Sequence, residues 1–222
     1  MEKICCIISA GDVNTSVLKE KKNEYSYFIA ADLGFEKALL ADITPSLLVG
    51  DFDSISQPIV LKSDETTDFS KKYPSTHIIK FPVEKDFSDT HLAIEEGIRL
   101  GYKHFHIYGA LGGDRFSHSI ANLQTLSTMK SKNISVSLIG THETVTLIEN
   151  ESVSLDLPRG CTFSVFSMTD ISKDVTIEGA KYPLKNADLS NRFPLGVSNR
   201  SLFNTVTISV SQGQLLIICE NL

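Results

Sequence analysis

The chain changes its pattern of alternation once, near residue 143, and that change limits the folds open to it. Up to about residue 140, short apolar runs alternate with helix-like segments. Ile4 to Ser9, Tyr27 to Ala31, Ser46 to Val49, His77 to Phe81, His104 to Tyr108 and Ile134 to Ile139 read as strands. Gly34 to Ala41, Ser88 to Leu100 and Phe116 to Met129 read as helices. Such alternation predicts an α/β fold, a mostly parallel sheet with helices on both faces. Beyond the change, short strand-like runs follow one another: Thr144 to Ile148, Val153 to Leu157, Thr162 to Phe166, Val175 to Ile177, Thr205 to Ser209 and Leu215 to Ile218. Turn residues separate several of them, at Pro158-Arg159-Gly160, Glu178-Gly179 and Gln212-Gly213-Gln214. Strands at this spacing predict an all-β antiparallel sandwich. The expected domains are therefore 1–143, α/β and catalytic, and 144–222, a β-sandwich. The stretches Gln57 to Tyr73 and Lys181 to Phe193 carry no clear pattern and are the two candidates for a mobile flap.

Composition narrows the function classes. The chain has 222 residues, 41% hydrophobic and 22% charged, which is ordinary for a globular protein. A net charge of -6 and the lack of any Lys/Arg cluster argue against nonspecific nucleic-acid binding. The apolar start, Ile4 to Ile8, is too short for a signal peptide, and no run approaches the roughly 20 residues of a membrane span. Cys5, Cys6, Cys161 and Cys219 form no CxxC pair and sit in strand-like runs. They are expected to be buried reduced thiols, which points to a reducing compartment, the cytoplasm.

The residues that carry chemistry recur at one kind of place. Gly50-Asp51-Phe52-Asp53-Ser54 follows the strand Leu47-Leu48-Val49. Two aspartates about 4 Å apart repel by roughly 1 kcal/mol in water and about 4 kcal/mol at an effective dielectric near 20. A hard cation removes that cost, and Mg²⁺ typically takes one or two carboxylates plus substrate phosphates. Ala31-Asp32-Leu33-Gly34 follows the second strand; Asp32 there reaches a ribose or metal shell, or caps the helix from Gly34. Lys85-Asp86-Phe87-Ser88-Asp89 follows the fourth strand, with Asp86 and Asp89 spaced as in a capping box. Gly109 to His118 follows the fifth strand; Gly112 and Gly113 expose backbone N–H groups to phosphate, and Arg115 adds a planar donor fork. The GxxxxGK[ST] spacing of a P-loop is absent. In a parallel sheet all four ends lie on one edge, where ligands bind. A shared magnesium-phosphate site follows, with Lys85 and Arg115 neutralising phosphate. No GxSxG serine or HExxH motif offers a nucleophile or zinc site, and direct phosphoryl-type transfer needs only positioning and charge stabilisation.

In this order the motifs resemble those of bacterial thiamine pyrophosphokinases: Ala31-Asp32-Leu33-Gly34, Gly50 to Ser54, Lys85 to Asp89, and the Gly112-Gly113 loop leading to His118 and Asn122. Gly196-Val197-Ser198-Asn199 resembles the thiamine-side motif of that family. The resemblance covers nearly the whole chain. It implies a reaction in which the thiamine hydroxyl attacks the β-phosphorus of ATP and AMP leaves. It also implies a homodimer in which thiamine sits between the α/β domain of one chain and the β domain of the other. Carried over by position, Asp51, Asp53, Asp86 and Asp89 are the catalytic metal-phosphate cluster for Mg²⁺. Asp32, Lys85, Gly112, Gly113, Arg115 and Asn122 bind ATP and its phosphates, and Ser198 and Asn199 face thiamine.

The glycine loop departs from that family. The family pattern is Gly-Gly-Arg-x-Asp-His, whereas this chain reads Gly112-Gly113-Asp114-Arg115-Phe116-Ser117-His118, one residue longer. Either Asp114 or Ser117 stands where the family has its aspartate. Two other readings compete. Asp51-Phe52-Asp53-Ser54-Ile55 imitates the nucleophile pattern of haloacid-dehalogenase phosphohydrolases, although here it sits on the third strand. The altered loop fits a thiamine or nucleotide sensor without catalysis.

Overall fold

The structure is a computed structural model that describes residues 2–52, 67–84, 86–113 and 115–221. Asp53, Lys85 and Asp114 lie outside the described residues. The chain forms two compact units, Met1–Thr125 with Leu138–Thr141, and Leu126–Ser137 with His142–Leu222.

In the first unit, β1 (Ile4–Ile8), β2 (Tyr27–Ala31), β3 (Leu47–Gly50), β4 (His77–Lys80) and β5 (His104–Tyr108) make a parallel sheet. Its order is β5-β1-β2-β3-β4. The register sets Ile7 beside both Ile29 and Ile107, Val49 beside Ala31, and Gly50 beside Lys80. Every strand is therefore read in the same direction, and its C-terminal end meets the same edge. Between the strands run α1 (Thr15–Lys21), α2 (Gly34–Leu40), α3 (Thr67–Lys72), α4 (Asp89–Arg99) and α5 (Phe116–Ser131), before β6 (Ser135–Ile139). The chain passes between units at three points, within α5, within β6 and between Thr141 and His142.

Strand alternation sorts the core onto two faces. Cys6, Ile8 and Tyr108 pack with Leu18 of α1 and Ala38 of α2, while Ala30 and Leu48 pack with Phe35 of α2. On the opposite face α4 presents Ala93, Ile94 and Gly97. Gly97 lies so close to the sheet that a Cβ there would stand 2.4 Å from Phe105 Cε1. Each fully buried Ile or Leu contributes roughly 1.5–3 kcal/mol, so this two-sided burial is what selects the parallel arrangement. Gly34 opens α2 where a Cβ would meet the Ile8 carbonyl oxygen at 1.9 Å. The glycine at that turn is required by close approach. Helix α1 has one buried residue, Leu18, and an Asn14 cap that accepts the Val17 N–H at 3.2 Å. With so little apolar periodicity it left no signal in the sequence reading.

The second unit has two antiparallel sheets. One has the order β12 (Gly196–Arg200), β9 (Thr162–Ser167), β14 (Gln214–Glu220), β7 (Glu143–Glu149); the other β11 (Leu184–Ser190), β10 (Ile171–Glu178), β13 (Thr205–Ser209), β8 (Ser152–Asp156). Val165, Leu215 and Ile217 from the first share a core with Val175, Ile177, Val206 and Ile208 from the second. This is the sandwich the spacing predicts. The stretch 181–193 is mostly the strand β11, which overturns its reading as a patternless flap candidate. Of the other flap candidate, only α3 and its neighbours are described.

All four cysteines are free thiols. Burial pushes the Cys5 thiol up to about 12 and Cys219 up to about 11, which leaves them unreactive as nucleophiles. No helix is long and apolar enough to cross a membrane among the described residues.

A buried polar group sits in the first unit's core. The Tyr25 hydroxyl lies 2.8 Å from the Tyr108 hydroxyl and 3.2 Å from His106 Nδ1. Burial lowers the His106 pKa from its ordinary value, with Lys21 adding to the effect. The unfolded chain therefore takes a proton at His106 before the folded one does. Stability should fall as pH drops below about 6.5, the ordinary histidine value. In thermal unfolding at pH 5.5 and 7.5, His106→Gln should lose less stability on acidification than the unsubstituted chain. An equal loss in both would remove His106 as a contributor.

Candidate active site

The C-terminal ends of the parallel strands surround a cleft of about 270 Å³. It is lined by Ser9 to Gly11 after β1, Ala31 to Leu33 at the end of β2, Ser88 to Thr90 at the start of α4, and Gly109, Ala110, Gly112 and Gly113 after β5. Arg115, His118 and Asn122 complete it. All of these belong to the first unit.

Asp32 is its centre. The residue adopts a left-handed conformation, φ 46°, which aspartate tolerates better than most side chains. Its Oδ1 accepts the Phe52 N–H at 3.2 Å, and Phe52 is itself left-handed at φ 65°. The side chain is thus committed across to the end of β3. It does not cap α2, whose N-cap is Leu33 with no side-chain bond. Gly50 makes the crossing possible. Its φ is 151°, and a Cβ there would stand 1.9 Å from Asp32 Oδ1.

Burial and a hydrogen bond with Asp89, reinforced by the Asp89 and Asp51 charges, push the Asp32 carboxyl up to about 7; the Phe52 N–H works the other way. Near neutral pH the Asp32 carboxyl therefore holds a proton part of the time. A divalent cation replaces such a proton with the charge the carboxylates lack, so this hard-oxygen set fits Mg²⁺. Among the described residues, no three His, Cys, Asp or Glu side chains form a ready-made metal cluster.

The structure brings together most of the residues the sequence singled out. Asp32, Asp89, Gly112, Gly113, Arg115 and Asn122 line the cleft, and Asp51 acts on Asp32 electrostatically. Asp86 does not line it; it is exposed and precedes α4. The expected capping box is replaced by Ser88, which caps α4 by accepting the His91 N–H at 3.2 Å. That leaves the Asp89 carboxylate for Asp32. Asn122 is buried and donates to the Ala110 carbonyl at 2.7 Å, which ties the glycine loop to α5. Ser117 is exposed and outside the lining.

In the second unit, Ser198 is exposed on β12 in a left-handed conformation, φ 58°, and its N–H donates to Ser164 Oγ at 3.0 Å. Asn199 is buried, and its amide is used within the unit. It donates to the Tyr182 carbonyl at 2.7 Å and accepts the N–H groups of Tyr182 and Arg200 at 3.0 and 2.9 Å.

Sequence reasoning missed the end of β1. Ser9-Ala10-Gly11-Asp12 has the signature used to select the other strand ends, an acid and a glycine just past an apolar run. Ser9 Oγ lies 2.9 Å from Thr90 Oγ1, joining this end to α4.

A family model of the thiamin pyrophosphokinase catalytic domain matches residues 18–138, and one of the thiamin pyrophosphokinase vitamin B1 binding domain matches residues 144–215. The thiamine pyrophosphokinase of Bacillus subtilis strain 168 is 27% identical over 197 residues, 88% of each chain. The crystal structure of thiamine pyrophosphokinase from Bacillus subtilis gives a TM-score of 0.85 at 25% identity, covering 99% of both chains. That of thiamin pyrophosphokinase from Geobacillus thermodenitrificans gives 0.81 at 23% identity, covering 98% of this chain and 97% of that one. The chain is thus a kinase of the kind that joins an α/β catalytic domain to a β-sandwich. It belongs to the thiamin pyrophosphokinase family, ATP-using enzymes that transfer pyrophosphate to thiamine.

Gly50→Ala tests the centre of the cleft. The added methyl must displace the Asp32 carboxylate, and overpacking of this kind costs about 1–3 kcal/mol. The variant should fold with a lowered melting temperature and lose nearly all turnover. Unchanged turnover would show that the Asp32 position is not needed.

Proposed function

We propose that the cleft of the first unit binds ATP with Mg²⁺ and that pyrophosphoryl transfer to thiamine takes place there. The observation that carries this is the half-buried Asp32–Asp89 pair lining one cleft with the Gly112–Gly113 turn and Arg115. In the reaction, the thiamine hydroxyl oxygen forms a bond to the β-phosphorus of ATP. The bond from that phosphorus to the oxygen shared with the α-phosphorus breaks, AMP leaves, and the hydroxyl proton is lost.

Asp51, Asp53, Asp86 and Asp89 are the proposed metal and catalytic carboxylates. Of these, Asp89 lines the cleft and Asp51 lies close enough to act on Asp32; Asp86, exposed outside the lining, has the least support. Bound Mg²⁺ supplies positive charge to the phosphate oxygens and lowers the repulsion between them and the carboxylates. Arg115 offers its guanidinium fork to the transferred phosphates, and the glycine turn, whose Gly113 N–H is already held by Asp12, lets the backbone come close to them. Lys85 is proposed for the same duty on the α4 side. Asp32 sets the position of Asp89 through their hydrogen bond. Asn122 serves the nucleotide indirectly, by holding the Ala110 carbonyl and with it the glycine turn. Ser198 is proposed to meet thiamine directly, and Asn199 to shape β12 beneath it. Following the family resemblance, the working form is a homodimer whose sites are shared between chains, in the cytoplasm.

Product analysis tests the reaction. With thiamine, ATP and Mg²⁺, AMP and thiamine diphosphate should appear together and vanish on chelation with EDTA. ADP with thiamine monophosphate would overturn the assigned bond, and phosphate release without thiamine would favour the Asp51 phosphohydrolase. Asp89→Asn should lower kcat by about 10²–10³, the usual scale for loss of one electrostatic stabiliser, with little change in melting temperature. Ser198→Ala should raise KM for thiamine more than KM for ATP; equal effects would remove β12 as the thiamine platform.

A further inference from the structure

Asp12 does not line the cleft, yet it connects two of the loops that do. Its Oδ2 accepts the Gly113 N–H at 2.9 Å, across 101 positions of sequence. The backbones around this bond are packed to contact. The Gly11 N–H donates to the Gly109 carbonyl at 2.8 Å. A Cβ on Gly11 would stand 2.5 Å from the Gly109 oxygen, and one on Gly112 2.7 Å from Asp12 Oδ2. Gly112 and Gly113 are both left-handed, at φ 73° and 80°, so little but tertiary contact holds this turn in place.

Lys37 of α2 secures the other side. Its ammonium donates to the Ala10 carbonyl at 2.6 Å and also to the Gly11 carbonyl. Burial lowers its pKa from the ordinary lysine value, and the Asp12 charge opposes that shift. The Asp12 carboxylate therefore accepts a backbone N–H within the field of a partly desolvated cation. A charge-assisted hydrogen bond is about twice as strong as a neutral one, an advantage that water partly screens at this exposed bond.

We propose that Asp12 is a positioning residue for the nucleotide, whose carboxylate straps the Gly112–Gly113 turn to the Ala10–Gly11 turn and so preforms the phosphate-facing wall of the cleft. This rests on the reading that the cleft takes the phosphates of ATP. The strap acts on the wall and not on the reacting atoms, so its loss weakens nucleotide binding and leaves the chemical step. Thiamine, held elsewhere, is not affected.

The test compares Asp12→Ala, Asp12→Asn and Arg115→Ala in the full chain, with KM for ATP, KM for thiamine and kcat measured for each. Asp12→Ala should raise KM for ATP about tenfold, the factor carried by one charge-assisted hydrogen bond, with kcat and KM for thiamine within about twofold. Asp12→Asn keeps an acceptor oxygen and should recover most of the ATP affinity. Thermal unfolding confirms that each variant is folded. Arg115→Ala reports on the cleft itself. If it raises KM for ATP and Asp12→Ala does not, the strap is overturned while the cleft stands. If Arg115→Ala leaves KM for ATP unchanged, the cleft reading fails first. A lower KM for ATP in Asp12→Ala would overturn the proposal in the opposite sense, since the carboxylate would then be competing with phosphate for the Gly113 N–H. Equal losses for ATP and thiamine would reduce Asp12 to a general structural role.

Discussion

The site is organised around one half-buried carboxylate. Asp32 leaves the end of β2 in a left-handed conformation, accepts an N–H from the end of β3 and meets Asp89 at the start of α4. Three segments of the parallel sheet's edge are thereby joined through a few oxygens. The arrangement holds only because Gly50 has no side chain at the crossing point. Bringing two half-buried acids together is unfavourable by itself, and the Asp32 pKa is raised accordingly. Residues of this kind contribute little to folding and make sense as a place kept ready for positive charge.

The glycine side of the cleft follows a complementary logic. Carboxylates gather on β2, β3 and α4, whereas the β1 and β5 ends bring backbone groups, with Arg115 beyond. Asn122 anchors one part of that wall through Ala110, and Asp12 another through Gly113. Both are polar side chains spent on backbone groups, which lets glycine turns with little conformational preference of their own stay in one form.

Much of the fold could be read from pattern. The six strands and three long helices of the first region, and six strands of the sandwich, follow from apolar periodicity because each buries a recognisable face. What escaped had no such face. Helix α1 buries only Leu18, and β11 reads Leu-Lys-Asn-Ala-Asp-Leu-Ser, with Leu189 its one fully buried residue. Edge strands are paired on one side only and need little apolar sequence. At the site, the acids after β2, β3 and β4 stood out in the sequence as a group, but their roles were not separable. Asp86 and Asp89 look equivalent in sequence; Ser88 takes the helix cap, and only Asp89 turns into the cleft.

The sequence by itself determined the succession of an α/β region and a β-sandwich, the edge on which chemistry would gather, and the residue types available there. Local periodicity and turn chemistry carry that information, because they depend on neighbours along the chain. Tertiary structure decided which acid became the centre, why Gly50 must be glycine, and that Asp12 and Lys37 belong to the same wall as Gly113. Those facts rest on approaches between backbones far apart in the chain, set by the register of a parallel sheet and by the space each side chain leaves to its neighbours.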